Sequence, residues 1–205
     1  MEYSFHIYNK LSSDGISIST DKLLLKNEEV RISSIRTGEN VTTYGEKPPV
    51  IVCVGSDLAI GDSLGPITGS MLKFKTQGLH VFIYGTLASP ITAKEIRYMR
   101  TFLTETHKDS QVLVIDAAVG NEGDIGLIKI NDSPLKPGAG ANKKLGDLGD
   151  ISILGIVAEK SIANYGLLNT TRLNLVYSMA EIISDGISNL LWERSSRKKI
   201  MKQEA

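Results

Sequence analysis

The chain has 205 residues, of which 41% are hydrophobic, enough for one buried core and rather few for two. Its 23 lysines and arginines balance 23 aspartates and glutamates, so no net field attracts nucleic acid or an anionic membrane. A single cysteine excludes an internal disulfide framework. No stretch has the form of a signal peptide, and no apolar run approaches the about 20 residues that span a bilayer. We expect a soluble cytoplasmic protein.

The sequence predicts a single domain with three parts: an N-terminal extension (1–48), a core (49–192) and a basic C-terminal tail (193–205). The extension is weakly periodic, with short strands predicted at Tyr3–Tyr8 and Gly15–Ser19. The tail is predicted to be the solvated end of the last helix, where its cations suit the negative end of the helix dipole. A contact of the tail with an acidic partner is the alternative.

The core alternates short apolar runs with stretches of helical period. Two successive strand–helix–strand crossovers predict a parallel sheet and therefore an α/β fold. A further strand follows the third by a connection too short for a parallel crossover, so we predict that it is antiparallel. The predicted strands are Val50–Gly55, His80–Tyr84, Gln111–Ala117, Ile125–Ile130 and Ile151–Ala158. Three helices are predicted: the first begins at Gly65-Pro66, the second runs from Thr92 to His107, and the third runs from Asn169 to about Trp192.

Two acids fall near the carboxyl ends of the first and third strands. Asp62 lies just before a helix, where aspartate is a good cap, and Asp116 closes a run of buried aliphatics, where a carboxylate needs a partner. If the second, first and third strands are adjacent in that order, both acids face one crevice. Two close carboxylates share a proton, so one can activate water while the other donates to the developing oxyanion. That arrangement suits hydrolysis of an amide.

Candidate substrate contacts flank these acids in two loops. The second loop, at residues 137–140, either forms an ordinary turn or presents backbone amides that bind a substrate carbonyl. The glycine spacing is not that of a dinucleotide loop, and no P-loop lysine follows. The candidates are Gly55, Ser56, Asp57 and Ser63 in the first loop and Gly138, Ala139 and Gly140 in the second.

The remaining reactive residue types do not form a site in the sequence pattern. His6, His80 and His107 lie outside the predicted strand-end loops, and Cys53 lies in the middle of a buried strand. A soft metal site or a Cys–His nucleophile therefore has no ligand set. We expect no metal and no cofactor.

Four segments within residues 49–185 carry a resemblance to known families: Val52–Gly55 through Gly61–Pro66, Val114–Ala117, Pro137–Gly140 and Ile153–Val157. In this order they resemble the germination protease of bacterial spores, the YyaC family of sporulation proteins and, more distantly in fold, hydrogenase maturation endopeptidases. The resemblance implies a three-layer α/β/α phosphorylase/hydrolase-like fold. Its mixed, mostly parallel five-stranded sheet has the order 2-1-3-5-4, with strand 4 antiparallel.

By motif match, the resemblance implies that Asp62 and Asp116 are the catalytic pair of an aspartate-dependent endopeptidase. The resemblance also implies that its substrates are small acid-soluble spore proteins and that it acts inside the sporulating cell or the spore. The hydrogenase enzymes add a metal-contacting histidine that this chain does not supply, so nickel chemistry is not implied. The alternatives are a non-catalytic or regulatory spore protein that binds a peptide or small ligand in the same crevice, and a small-molecule hydrolase. The sequence is compatible with a homo-oligomer.

Overall fold

The computed structural model describes residues 1–36, 47–137, 146–160 and 171–203. These residues form one six-stranded sheet with helices on both faces. The strands are β1 (Glu2–His6), β2 (Val50–Cys53), β3 (Phe82–Tyr84), β4 (Val112–Gly120), β5 (Leu127–Asn131) and β6 (Ile151–Glu159), and the helices are α1 (Ser12–Arg36), α2 (Leu64–Lys75), α3 (Ile96–Thr106) and α4 (Leu173–Gln203).

The sheet has the order β1-β5-β6-β4-β2-β3. Strands β2, β3, β4 and β6 are parallel, while β5 is antiparallel to β6 and to β1. Counted from β2, the order 2-1-3-5-4 and the antiparallel fourth strand are confirmed. The predicted five-stranded sheet is one strand short, because β1 extends it beyond β5.

The N-terminal extension belongs to the sheet and to one helical layer. Strand β1 pairs with β5, and α1 packs against α4. The predicted strand Gly15–Ser19 is wrong, since these residues lie inside α1. Alternation of isoleucine with serine there imitates the period of a strand. The true burial follows the helical period, with Ile16, Leu23 and Leu24 in the core.

The sheet separates two hydrophobic clusters, which explains why its central strands are apolar throughout. On β2, Ile51 and Cys53 face the layer of α1, α2 and α4, while Val50 and Val52 face α3. Successive side chains of a strand point to opposite faces, so a central strand is buried on both. Cys53 is fully buried, as predicted, and burial raises the pKa of its thiol.

The last helix is longer than predicted and joins the extension. It continues past Trp192 through Gln203, so the basic tail is helical as far as Gln203. The Arg194 guanidinium bonds Asp21 and Glu28 on α1, and Arg197 bonds Asp21 at 2.8 Å. These arginines tie α4 to α1. Among the described residues, no helix combines the length and the apolar character that a bilayer crossing requires.

Candidate active site

Asp116 is the first residue of β4 beyond the end of the neighbouring strand β2. Cys53, the last residue of β2, pairs with Ile115, and from Asp116 onward β4 pairs only with β6. The sequence placed Asp116 at the end of a strand, whereas β4 continues to Gly120. The strand that ends beside Asp116 is therefore β2. This leaves its side chain partly buried at the switch point between β2 and β4.

Asp62 reaches the same edge through a tight loop after β2. The loop returns in a 3-10 turn, Gly61–Ser63, that contacts β4 and α4. The Ser56 amide donates to the Asp62 carbonyl oxygen at 3.0 Å. Gly55 has φ 141°, and a Cβ on it would lie 2.1 Å from that same oxygen. Glycine at this position lets the loop close onto Asp62.

Capping of α2 does not account for Asp62. The residue before the helix is Ser63, which makes no side-chain capping bond. The Ser63 hydroxyl instead donates to the Ile60 carbonyl oxygen at 2.6 Å. Asp62 is therefore not the N-cap residue of α2.

The two carboxylates interact electrostatically. Burial, and then the negative charge of Asp62, raise the pKa of Asp116 well above its ordinary value, against a 2.8 Å hydrogen bond from the Ala117 amide. Burial also raises the pKa of Asp62, opposed by the Ser56 amide. Asp116 is the more strongly perturbed of the two. Since two like charges that interact do not both ionise readily, the larger rise at Asp116 favours a protonated Asp116 and an ionised Asp62.

The predicted substrate contacts divide into three groups. Gly55, Ser56 and Asp57 follow β2 directly and lie in the loop that carries Asp62. Ser63 lies beside Asp62, but its hydroxyl is engaged by the backbone of its own turn. Residues 138–140, which include the predicted contacts Gly138, Ala139 and Gly140, lie outside the described residues.

Sequence reasoning missed an apolar rim around this edge. Leu58 and Ile60 are exposed in the loop after β2, Leu87 in the turn after β3, and Leu173 at the start of α4. Helix α4, which begins at Leu173, contacts the 3-10 turn that bears Asp62. The available signal was large apolar residues inside otherwise polar loops.

The histidines lie apart from the two acids. His6 ends β1 at the same edge, but β5 and β6 separate it from β4 by about 14 Å, three strand spacings. His80 precedes β3, and His107 follows α3, where its Nε2 and the Tyr84 hydroxyl share a 2.7 Å hydrogen bond. In the described ranges, no three His, Cys, Asp or Glu side chains converge as metal ligands would.

A cavity of about 660 Å³ lies at the opposite edge of the sheet. It opens between α3 and residues 147–150, near the amino ends of β4 and β6, and its lining includes Arg97, His107 and Asp150. The interacting carboxylates are not part of it. Perturbed acids at the carboxyl ends of parallel strands are the stronger indication of a reactive site, so the candidate active site is the one at Asp62 and Asp116.

Comparisons of the sequence confirm the predicted relationship to YyaC. The model of a family described as "Protein of unknown function (DUF1256)" matches residues 25–186. The chain is 42% identical over 142 residues to the uncharacterized protein YyaC of Bacillus subtilis (strain 168), which covers 69% of each chain. A solved structure, the [NiFe] hydrogenase maturation protease HycI from Thermococcus kodakarensis KOD1, aligns with a TM-score of 0.46 and 20% identity over 72% of this chain and 94% of that one.

Proposed function

The chain belongs to the DUF1256 family of proteins of unknown function, and we propose that it is a sporulation-associated peptidase that hydrolyses peptide bonds with Asp62 and Asp116. The observation that supports this is the setting of Asp116, where burial and then the charge of Asp62 raise the pKa of its carboxyl. When their environments give two acids different pKa values, one can act as the base and the other as the acid in the same reaction.

The larger rise in the pKa of Asp116 assigns the two roles. Ionised Asp62 accepts a proton from water, which attacks the scissile carbonyl carbon. Protonated Asp116 donates to the carbonyl oxygen as it becomes an oxyanion. When the tetrahedral intermediate collapses, the C–N bond breaks, Asp62 passes its proton to the leaving amine, and Asp116 recovers its own. The products are a carboxylic acid and an amine, and the pair returns to its starting state.

The surroundings of the pair suit an extended peptide. The apolar rim formed by Leu58, Ile60, Leu87 and Leu173 offers contacts to apolar side chains on either side of a scissile bond. The link to sporulation rests on the resemblance to the YyaC family, which makes small acid-soluble spore proteins the first substrates to test. Such a rim serves a peptide-binding protein equally well, so cleavage and binding are measured separately.

The test compares three matched aspartate-to-asparagine variants on a small acid-soluble spore protein. Asp62→Asn and Asp116→Asn remove a proton acceptor or donor at nearly constant shape, and we expect cleavage to fall by about 10²- to 10⁴-fold. Asp150→Asn is the control, because Asp150 also accepts a backbone amide, Val112 N–H at 2.8 Å, but at the opposite edge of the sheet. Undiminished cleavage by both site variants would refute the proposal. A wild type that binds the peptide and leaves it intact would favour the non-catalytic protein.

A further inference from the structure

The outward face of α1 carries an apolar stripe with a period of seven. Leu11, Ile18 and Leu25 have exposed fractions of 67%, 57% and 42%. The Leu11 carbonyl oxygen accepts the Gly15 amide at 2.9 Å, so residue 11 already follows the helical path. The stripe extends for about 21 Å at the rise of an α-helix. It faces away from the core, which α1 contacts with its other side.

Two charges of opposite sign alternate with these apolar residues. Asp14 lies between Leu11 and Ile18, and Lys22 lies between Ile18 and Leu25, both exposed. Neither makes an ion pair or side-chain hydrogen bond with any residue that the structure describes. They cannot pair with each other, since eight residues separate them by about 12 Å along the helix.

We propose that this stripe is the interface of a symmetric homodimer in which two α1 helices pack antiparallel about a twofold axis at Ile18. The rotation brings position 18 − n of one subunit opposite position 18 + n of the other. Leu11 then meets the partner's Leu25, Asp14 meets the partner's Lys22, and Ile18 meets the partner's Ile18. Each of these contacts is either apolar with apolar or acidic with basic.

The self-complementary spacing identifies a second copy of the chain as the occupant. Isolated exposed leucines are common on protein surfaces and need no partner. Here, however, the apolar residues lie seven positions on either side of Ile18, and the opposite charges lie four positions on either side. A parallel arrangement would place Asp14 against the partner's Asp14, which is repulsive. Antiparallel packing thus satisfies both the apolar and the charged positions.

Charge reversal tests the arrangement, with sedimentation equilibrium of the full chain as the measurement. Asp14→Lys and Lys22→Asp each convert both attractive pairs into repulsive ones, and we expect each to raise the dimer dissociation constant about tenfold or more. An equimolar mixture of the two variants should form a heterodimer, because each end then joins Lys to Asp. Thermal melting checks that both variants are folded. A wild type that stays monomeric, or charge variants that associate as wild type does, would overturn the proposal.

Cross-linking tests the position of the axis independently. Ile18→Cys places a thiol opposite its own copy, and a disulfide needs the two Cβ atoms within about 3.5 to 4.5 Å. Oxidation should therefore yield a covalent dimer, and the native Cys53 does not interfere because it is fully buried. Asp14→Cys is the matched control, since the axis holds its two copies about 12 Å apart. Equal cross-linking of the two variants would rule out an axis at Ile18.

Discussion

Replacing Asp116 with asparagine should stabilise the protein at neutral pH while it abolishes the proposed activity. Asparagine keeps the shape of the protonated carboxyl and does not ionise. The native environment opposes ionisation of Asp116 by burial and by the charge of Asp62, and one backbone amide, that of Ala117, favours it. The substitution therefore removes a charge that the folded state disfavours.

The sign and size of the effect follow from proton linkage. Because folding raises the pKa of Asp116, its contribution to stability is fully present below the ordinary aspartate pKa and is lost as the pH rises through the folded-state pKa. The variant does not lose this contribution. At a pH above both pKa values, the free energy of unfolding of the variant should exceed that of the wild type by about 1.36 kcal/mol for each unit by which the folded-state pKa exceeds the unfolded one. Well below the ordinary aspartate pKa, the two proteins should be about equally stable.

Urea unfolding at acid and neutral pH measures this difference. Asp150→Asn serves again as the control, because the pairing of Asp150 with Val112 N–H is of the charge-assisted kind that a structural carboxylate makes. We expect that variant to lose about 1 kcal/mol at neutral pH. If Asp116→Asn lost stability at neutral pH as Asp150→Asn does, Asp116 would be a structural carboxylate and the inferred proton sharing would be refuted.

Three further predictions concern the loop, the pH profile and metals. Gly55→Ala forces a Cβ against the Asp62 carbonyl oxygen at positive φ, so it should lower the free energy of unfolding by about 1 to 3 kcal/mol and also reduce cleavage. Gly123→Ala is the control, because a Cβ there has nothing within 4 Å, and it should alter neither the thermal melting nor the cleavage rate. The rate against pH should be bell-shaped, rising as Asp62 ionises and falling as Asp116 loses its proton, and a profile that only rises would contradict the assigned roles. Cleavage should survive a chelator; a stoichiometric metal bound by the two acids, with activity lost on its removal, would point to metal-assisted hydrolysis instead.

The sequence by itself determined the core of the fold and the two acids. Strands β2 to β6 are recognisable because each is a short apolar run between turn residues, and such signals are local. The antiparallel direction of β5 also followed from local information, namely a connection too short for a crossover. Asp62 and Asp116 stood out because charged residues interrupted strongly apolar or glycine-rich segments.

Only the tertiary structure decided the role of the N-terminal residues and the exact setting of the acids. The segment Gly15–Ser19 alternates like a strand, yet burial of Ile16 against the other helices makes it part of α1. Asp116 lies in the candidate site because β2 ends at Cys53, which pairs with the residue before Asp116, a fact of register that no local pattern contains. Likewise, the sequence predicts that Arg194 is a solvated tail residue, whereas in the structure α4 lies beside α1 and Arg194 pairs with two carboxylates of α1. Packing between segments distant in sequence determines all three, because it sets which side chains lose water and which charges become neighbours.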